Sequence, residues 1–321
     1  MEKLITKRLA IQGVIPPLIT PLETDNSLDR VGLHRLLEYQ IGGGIHGLFI
    51  LGTTGEGTSL SLELKKELIS EVCAYVNHRI PVLVSITDPS MISAIRLAEY
   101  AAKCGADAVV FAAPYYFLLG REEFEKYLRQ LVKNLPIPFM LYNMPVHTKL
   151  KISPETVLLA RDLGAIGIKD SSGDIDNLMT LIDLFKSDPD FYVISGSEIF
   201  LPETILAGGD GVIAGGANIF PHLYVRLYDA AVQKDMEMIQ FLRQALMQIE
   251  ITIYSVGTTY SKTISAIKCS LSVMDVCNDH HAPPLLELDA EQRNNIKIHL
   301  DKIRKDYSAI LPQAKTAGLS R

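Results

Sequence analysis

Eight times between Gly13 and Pro221 the sequence passes from a short apolar, β-prone run into a stretch with helical spacing. The β-prone runs are Gly13–Leu22, Gly47–Leu51, Pro81–Thr87, Ala108–Pro114, Pro138–Tyr142, Ala165–Lys169, Phe191–Ser195 and Gly211–Ala214. Between them lie Leu28–Ile41, Ser59–Val76, Ser90–Cys104, Arg121–Lys133, Pro154–Leu163, Ile175–Phe185 and Glu198–Ala207, with a last helix from about Pro221. Continuous apolar strands are buried on both faces, as in a parallel sheet covered by its own crossover helices. Sequential βα units build such a sheet, and eight of them can close into a (β/α)8 barrel. The rival architecture is an open doubly wound sheet, but no GxGxxG turn follows the first strand.

Local signals agree with this period. Ser61 and Ser153 stand where N-caps are wanted, Pro154 occupies a first helical turn, and Gly42-Gly43-Gly44 closes a helix. The first run holds Pro16, Pro17 and Pro21, which cannot donate to a ladder, so it is expected to be a short strand. Helical patterns continue past the eighth unit over Met236–Ile253, Thr259–Val276 and Ala290–Ile310, with a turn-rich break at Asn278–Pro284. The expected architecture is α/β: a (β/α)8 TIM barrel over residues 1–225, with a C-terminal helical extension, residues 226–321, packed on it.

With 321 residues, 48% of them hydrophobic, the chain has material for one large core. A net charge of -6 and the absence of any basic run argue against a nucleic-acid partner. No apolar run reaches the roughly 18 residues of a membrane span. Cys73, Cys104, Cys269 and Cys277 form no CxxC pair and fit reduced thiols in a cytoplasmic protein. Met1–Ala10 has scattered charges and no long apolar core, so no signal peptide is expected.

Barrel sites form at the C-terminal ends of the strands. Lys169 stands at such an end, followed by Asp170-Ser171-Ser172-Gly173-Asp174. A lysine at a strand end can simply snorkel its ammonium outward. Held among apolar neighbours it loses water, its pKa falls, and the free amine can attack a ketone to form a Schiff base. What ends the other strands favours the second reading. Gly52-Thr53-Thr54-Gly55-Glu56-Gly57 follows the second, Pro114-Tyr115-Tyr116 the fourth, and Tyr142-Asn143-Met144-Pro145-Val146-His147 the fifth. Ser195-Gly196-Ser197-Glu198 ends the seventh, and the eighth, holding Ile213, ends in Gly215-Gly216-Ala217-Asn218. Each has an ordinary structural explanation. The threonines can form a plain turn, Tyr142 can be a core aromatic, His147 a surface histidine, and Glu198 a carboxylate favourably placed at a helix start. Their coincidence on one rim with a strand-end lysine is the stronger signal.

The segments Gly52-Thr53-Thr54-Gly55-Glu56, Tyr142-Asn143-Met144-Pro145 and Gly167-Ile168-Lys169-Asp170-Ser171-Ser172-Gly173-Asp174 resemble those of the dihydrodipicolinate synthase / N-acetylneuraminate lyase superfamily of class I Schiff-base aldolases. The resemblance spans about Gly13 to Asn218. It implies that Lys169 forms an imine with pyruvate or another 2-keto acid and that Thr53 and Thr54 bind its carboxylate. Tyr142 would pass protons, and Tyr116 would reach across a dimer interface into a relay with Thr54. Ser171, Gly196, Glu198, Ile213 and His147 complete the implied substrate-binding set. No cofactor or metal is implied, and the assembly would be a homotetramer, a dimer of dimers.

The synthases carry an arginine two residues after the YNxP motif, where this chain has His147. A neutral imidazole cannot replace a bidentate guanidinium for the carboxylate of an aldehyde partner. Asp170-Ser171 also departs from the lyase branch. The expected activity is therefore reversible cleavage of a 2-keto-3-deoxy sugar acid to pyruvate and an aldehyde. Alternatives are dihydrodipicolinate synthase, N-acetylneuraminate lyase, a dehydratase of a deoxy keto acid, and a non-catalytic keto-acid binding protein.

Overall fold

The computed structural model describes residues 9–311. Most of the stretch expected to carry no signal peptide, and the last ten residues of the extension, lie outside them. Eight parallel strands are present: β1 (Gly13–Val14), β2 (Leu48–Ile50), β3 (Val82–Ser85), β4 (Ala108–Ala112), β5 (Phe139–Asn143), β6 (Ala165–Asp170), β7 (Tyr192–Ser195) and β8 (Gly211–Val212). They pair in the order β1-β8-β7-β6-β5-β4-β3-β2. The barrel closes between β1 and β2 through a bridge from Pro17 to Phe49, where the Phe49 amide donates to the Pro16 carbonyl at 3.0 Å. The regular ladder of the first strand is only two residues, the short strand expected from its prolines. The prolines keep their carbonyls as acceptors but have no N–H to return.

Outside the strands run α1 (Arg30–Gly42), α2 (Leu62–Val76), α3 (Met91–Lys103), α4 (Arg121–Leu131), a one-turn α5 (Pro145–Thr148), α6 (Pro154–Asp162), α7 (Ile175–Phe185), α8 (Leu201–Leu206) and α9 (Pro221–Gln233). The caps fall where the sequence placed them. Ser61 Oγ accepts from Leu64 N at 3.1 Å, and Ser153 caps α6. Two layers of core result. Ile15, Phe49, Val110, Met140, Tyr142 and Ile194 fill the barrel, while a larger cluster fills the space between strands and helices. That alternation follows from the period of two along each strand.

The extension contains α10 (Met236–Gln248), α11 (Lys262–Val273) and α12 (Ala290–Asp306). Two differences from the sequence reading matter. The helix after β8 runs across the division expected at 225/226. The single helix expected over Met236–Ile253 instead ends in a π turn at Ile249–Ile253, where Tyr254 N donates to Ile249 O at 3.1 Å. Among the described residues no helix is long and apolar enough to cross a membrane.

Candidate active site

A cavity of about 830 Å³ opens at the C-terminal ends of the strands. Lys169 projects into it from β6. The parallel register sets Lys169 opposite Tyr142 of β5 on one side and Ile194 of β7 on the other. Its Nζ lies 4.2 Å from the centre of the Tyr142 ring and 4.9 Å from that of Phe49. The side chain is buried, and burial lowers the lysine below its ordinary value while the Tyr142 phenol pulls it partway back. No carboxylate contributes to that balance. A desolvated amine without a counterion is the condition for a lysine nucleophile.

Tyr142 reaches the rim through its hydroxyl, which is 3.2 Å from Thr53 Oγ1. The hydroxyl bonded to Tyr142 is that of Thr53; Thr54, expected to relay with Tyr116 across a dimer interface, lines the cavity beside it. The loop that carries both is tightly wound. Glu56 N donates to Thr53 O at 3.1 Å, and Gly57 has no room for a Cβ, which would lie 2.0 Å from the Leu51 carbonyl oxygen.

Asp170 points away from the cavity and organises the following turn. Its Oδ1 accepts from Asn143 Nδ2 at 2.7 Å and its Oδ2 from Asn177 Nδ2 at 3.1 Å. This ties the β5 end, the β6 end and α7 together around Lys169. Ser171 and Gly196 pack directly on one another: a Cβ on Gly196 would sit 1.7 Å from Ser171 Oγ. Both line the cavity, as do Ile213 and His147. His147 sits on α5, and burial, reinforced by Lys149, lowers its pKa, so the ring is neutral near pH 7.

Glu198 also lines the cavity, but both of its oxygens are engaged. Oε1 accepts from the Tyr224 hydroxyl at 2.5 Å and Oε2 from the Gly216 amide at 2.9 Å. Burial raises its pKa despite these donors. Tyr116 is the one predicted site residue that this chain leaves out of the cavity. It is 87% exposed at φ 84°, while its neighbour Tyr115 lines the wall. A role for Tyr116 needs a second subunit.

The sequence reading missed a buried charged cluster beneath the threonine loop. Glu56, in the left-handed region at φ 57°, turns its carboxylate inward. Lys268 Nζ of α11 lies 2.5 Å from its Oε1, the Ala282 amide donates to Oε2 at 2.7 Å, and Lys268 also donates to the His280 carbonyl. His281 Nδ1 is 3.6 Å from Glu56 Oε1. Burial pushes Glu56 up, but His281 and Lys268 outweigh it and hold the carboxyl below its usual range. Glu56 stood inside the recognised glycine-rich segment, yet nothing local pointed to a partner 212 residues away. Among the described residues no group of three or more His, Cys, Asp or Glu is arranged to hold a metal ion.

The sequence profile of the dihydrodipicolinate synthetase family matches residues 10–303. The chain belongs to that family. A probable 2-dehydro-3-deoxy-D-pentonate aldolase of Escherichia coli is 32% identical over 292 residues, covering 90% of this chain and 96% of the relative. A 4-hydroxy-tetrahydrodipicolinate synthase of Neisseria meningitidis is 32% identical over 279 residues, covering 87% and 94%. Among solved structures, dihydrodipicolinate synthase from Bacteroides thetaiotaomicron superposes with a TM-score of 0.89 at 43% identity, covering 92% of this chain and all of that one. An Escherichia coli prophage protein of the family, solved in complex with pyruvate, superposes with a TM-score of 0.86 at 30% identity, covering 92% and 99%. The chain is therefore a lyase of the pyruvate-dependent aldolase type, on the family's barrel. Lys169, Tyr142 and the threonine loop, singled out from sequence, come together at one cavity of this family member.

Proposed function

We propose that the enzyme reversibly cleaves 2-keto-3-deoxy sugar acids to pyruvate and an aldehyde through an imine on Lys169. The observation that carries this reading is the charge of the cavity wall. Among the described residues lining it, Lys169 is the only lysine and there is no arginine, while Glu198 and Glu250 face the same space. A partner aldehyde with its own carboxylate would meet acids and the neutral His147 rather than a guanidinium. A hydroxylated tail meets no such penalty, and 830 Å³ leaves room for one beyond the pyruvyl unit. The relatives named as pentonate and gluconate aldolases are consistent with it.

In this mechanism the free amine of Lys169 attacks C2 of the keto acid, whose carboxylate is held by Thr53 and Thr54. Tyr142 moves protons through Thr53 as water leaves and the imine forms. The protonated imine then withdraws the electron pair of the C3–C4 bond as the C4 hydroxyl loses its proton. An aldehyde departs and an enamine remains, which is protonated at C3 and hydrolysed to pyruvate. Ser171, Gly196 and Ile213 form the near wall. The strained, exposed Tyr116, beside Phe117 at 74% and Leu118 at 76% exposure, supports a homotetramer built from dimers, with Tyr116 meeting the neighbouring site.

A second reading, condensation of pyruvate with aspartate semialdehyde, is favoured by the 43% identity to the Bacteroides structure. Borohydride trapping with pyruvate, followed by peptide mass spectrometry, is expected to label Lys169 alone. Pyruvate release from 2-keto-3-deoxygluconate and 2-keto-3-deoxypentonates is then compared with consumption of aspartate semialdehyde. Faster condensation than cleavage would overturn the sugar-acid reading. A label elsewhere than Lys169 would overturn both.

A further inference from the structure

Thr53 and Thr54 can grip a carboxylate only if the loop that carries them keeps one shape. That loop is wound tightly at both ends. Leu51 and Glu56, neither of them a glycine, take left-handed backbone angles of φ 59° and 57°. Between them Gly55 runs flush against the first strand, where a Cβ would stand 2.7 Å from the Leu18 carbonyl oxygen. Left-handed backbone at bulky residues is costly and persists only where the surroundings over-determine it.

Two sets of contacts supply that restraint. Within the barrel, Thr20 Oγ1 donates to Gly55 O at 2.7 Å. The helical extension holds the Glu56 end: Lys268 Nζ lies 2.5 Å from Glu56 Oε1, and the Ala282 amide donates to Oε2 at 2.7 Å. Neither the Glu56 nor the Lys268 side chain is exposed. Glu56 borders the cavity, but its carboxylate is taken up by the extension and is not offered to a ligand. Its influence runs through the backbone instead. The Glu56 amide donates to the Thr53 carbonyl at 3.1 Å, and Thr53 Oγ1 stands 3.2 Å from the Tyr142 hydroxyl. The Tyr142 ring in turn lies 4.2 Å from Lys169 Nζ.

We infer that Glu56 and Lys268 are positioning residues for the keto-acid end of the substrate. Without touching the ligand, the buried pair uses the extension to fix Thr53 and Thr54 where a carboxylate is bound. Donors set in place beforehand lose little freedom when the ligand arrives. The barrel thus carries the reacting groups, and the extension fixes their spacing. The inference rests on the imine at Lys169 and on the threonines as carboxylate donors, not on which aldehyde is released.

Borohydride trapping of Lys169 with two ketones separates this role from a general one in stability. Pyruvate uses the threonines; acetone offers the same carbonyl without a carboxylate and reports on the amine alone. The wild-type enzyme is expected to trap pyruvate at least about 100-fold more efficiently than acetone, the worth of two hydrogen bonds to a charged group. Glu56→Gln with Lys268→Met removes the pair together and leaves no buried charge alone. It should lower that preference about tenfold while acetone trapping stays within about twofold of wild type. Glu56→Gln alone, which keeps an acceptor for the Ala282 amide, should lower it by about threefold and decides the matter if the double variant does not fold. Leu128→Ala, in the core behind α4 and away from the cavity lining, should lower the Tm and leave the preference intact. A preference that the Glu56 variants keep, or that Leu128→Ala lowers equally, overturns the positioning role and leaves the imine reading standing. A wild-type enzyme with no preference for pyruvate overturns the role of the threonines with it, and one with no label on Lys169 overturns the imine as well.

Discussion

Lys169 and Lys268 are the two buried lysines among the described residues, and they differ in what faces the amine. Burial is the main cause that lowers the pKa of each. Around Lys268 the loss of water is answered by the Glu56 carboxylate at 2.5 Å and by the carbonyl of His280. Around Lys169 it is answered by two aromatic faces and one phenol. The first arrangement holds a charge in place. The second leaves an amine with little reason to keep its proton and a cavity to react into. Desolvation therefore makes a lysine reactive only where no carboxylate is packed against it.

The largest test of this contrast replaces each lysine by methionine. Lys169→Met is expected to lose pyruvate trapping and to drop turnover by about 10³-fold or more, with a Tm no lower than wild type, since an uncompensated buried amine is removed. Lys268→Met should do the reverse to stability, costing about 3–5 kcal/mol in denaturant unfolding because Glu56 is left buried without its partner. The double change Glu56→Gln with Lys268→Met should recover much of that loss. Equal stability effects at the two lysines would end the comparison.

A smaller, sharper test is pH. The folded-state value of Lys169 lies below the roughly 10.4 of a free lysine. Below the folded value the ammonium is present in both the folded and unfolded chains and is disfavoured only in the fold. As pH rises through that value the folded chain sheds its proton first. Both the reactive fraction and the contribution of this group to stability should therefore rise with pH across the window between the folded value and about 10.4. The rate of imine formation with pyruvate, followed across pH, should show a midpoint below about 10.4; a midpoint at the free-lysine value would contradict the burial argument. Glu56 carries a dependence of the same sign in an acid window: its lowered pKa contributes stability above about pH 4.3 that is lost as pH falls through the folded value. Lys268→Met should remove much of that acid sensitivity from unfolding curves.

Much of the molecule was legible in the one-dimensional order of residues because βα units are local. Continuous apolar strands, capped helices such as Ser153–Pro154 and closing glycines each report on their own neighbourhood. Since every strand of a barrel ends at the same rim, the list of strand-end residues already placed Lys169, Tyr142, Thr53 and His147 together. The three prolines of the first run also announced a short strand, because a residue without an N–H cannot donate to a ladder.

What tertiary structure alone decided are pairings between segments far apart in the chain. Which threonine touches Tyr142 depends on the winding of one loop. The partners of Glu56 come from α11 and the turn after it, and the π turn that brings Tyr254 to the cavity wall was concealed within the continuous helical pattern of Met236–Ile253. Local sequence determines periodicity and caps, and so the elements. Distances between side chains on different elements arise only when the barrel closes and the extension docks over its mouth.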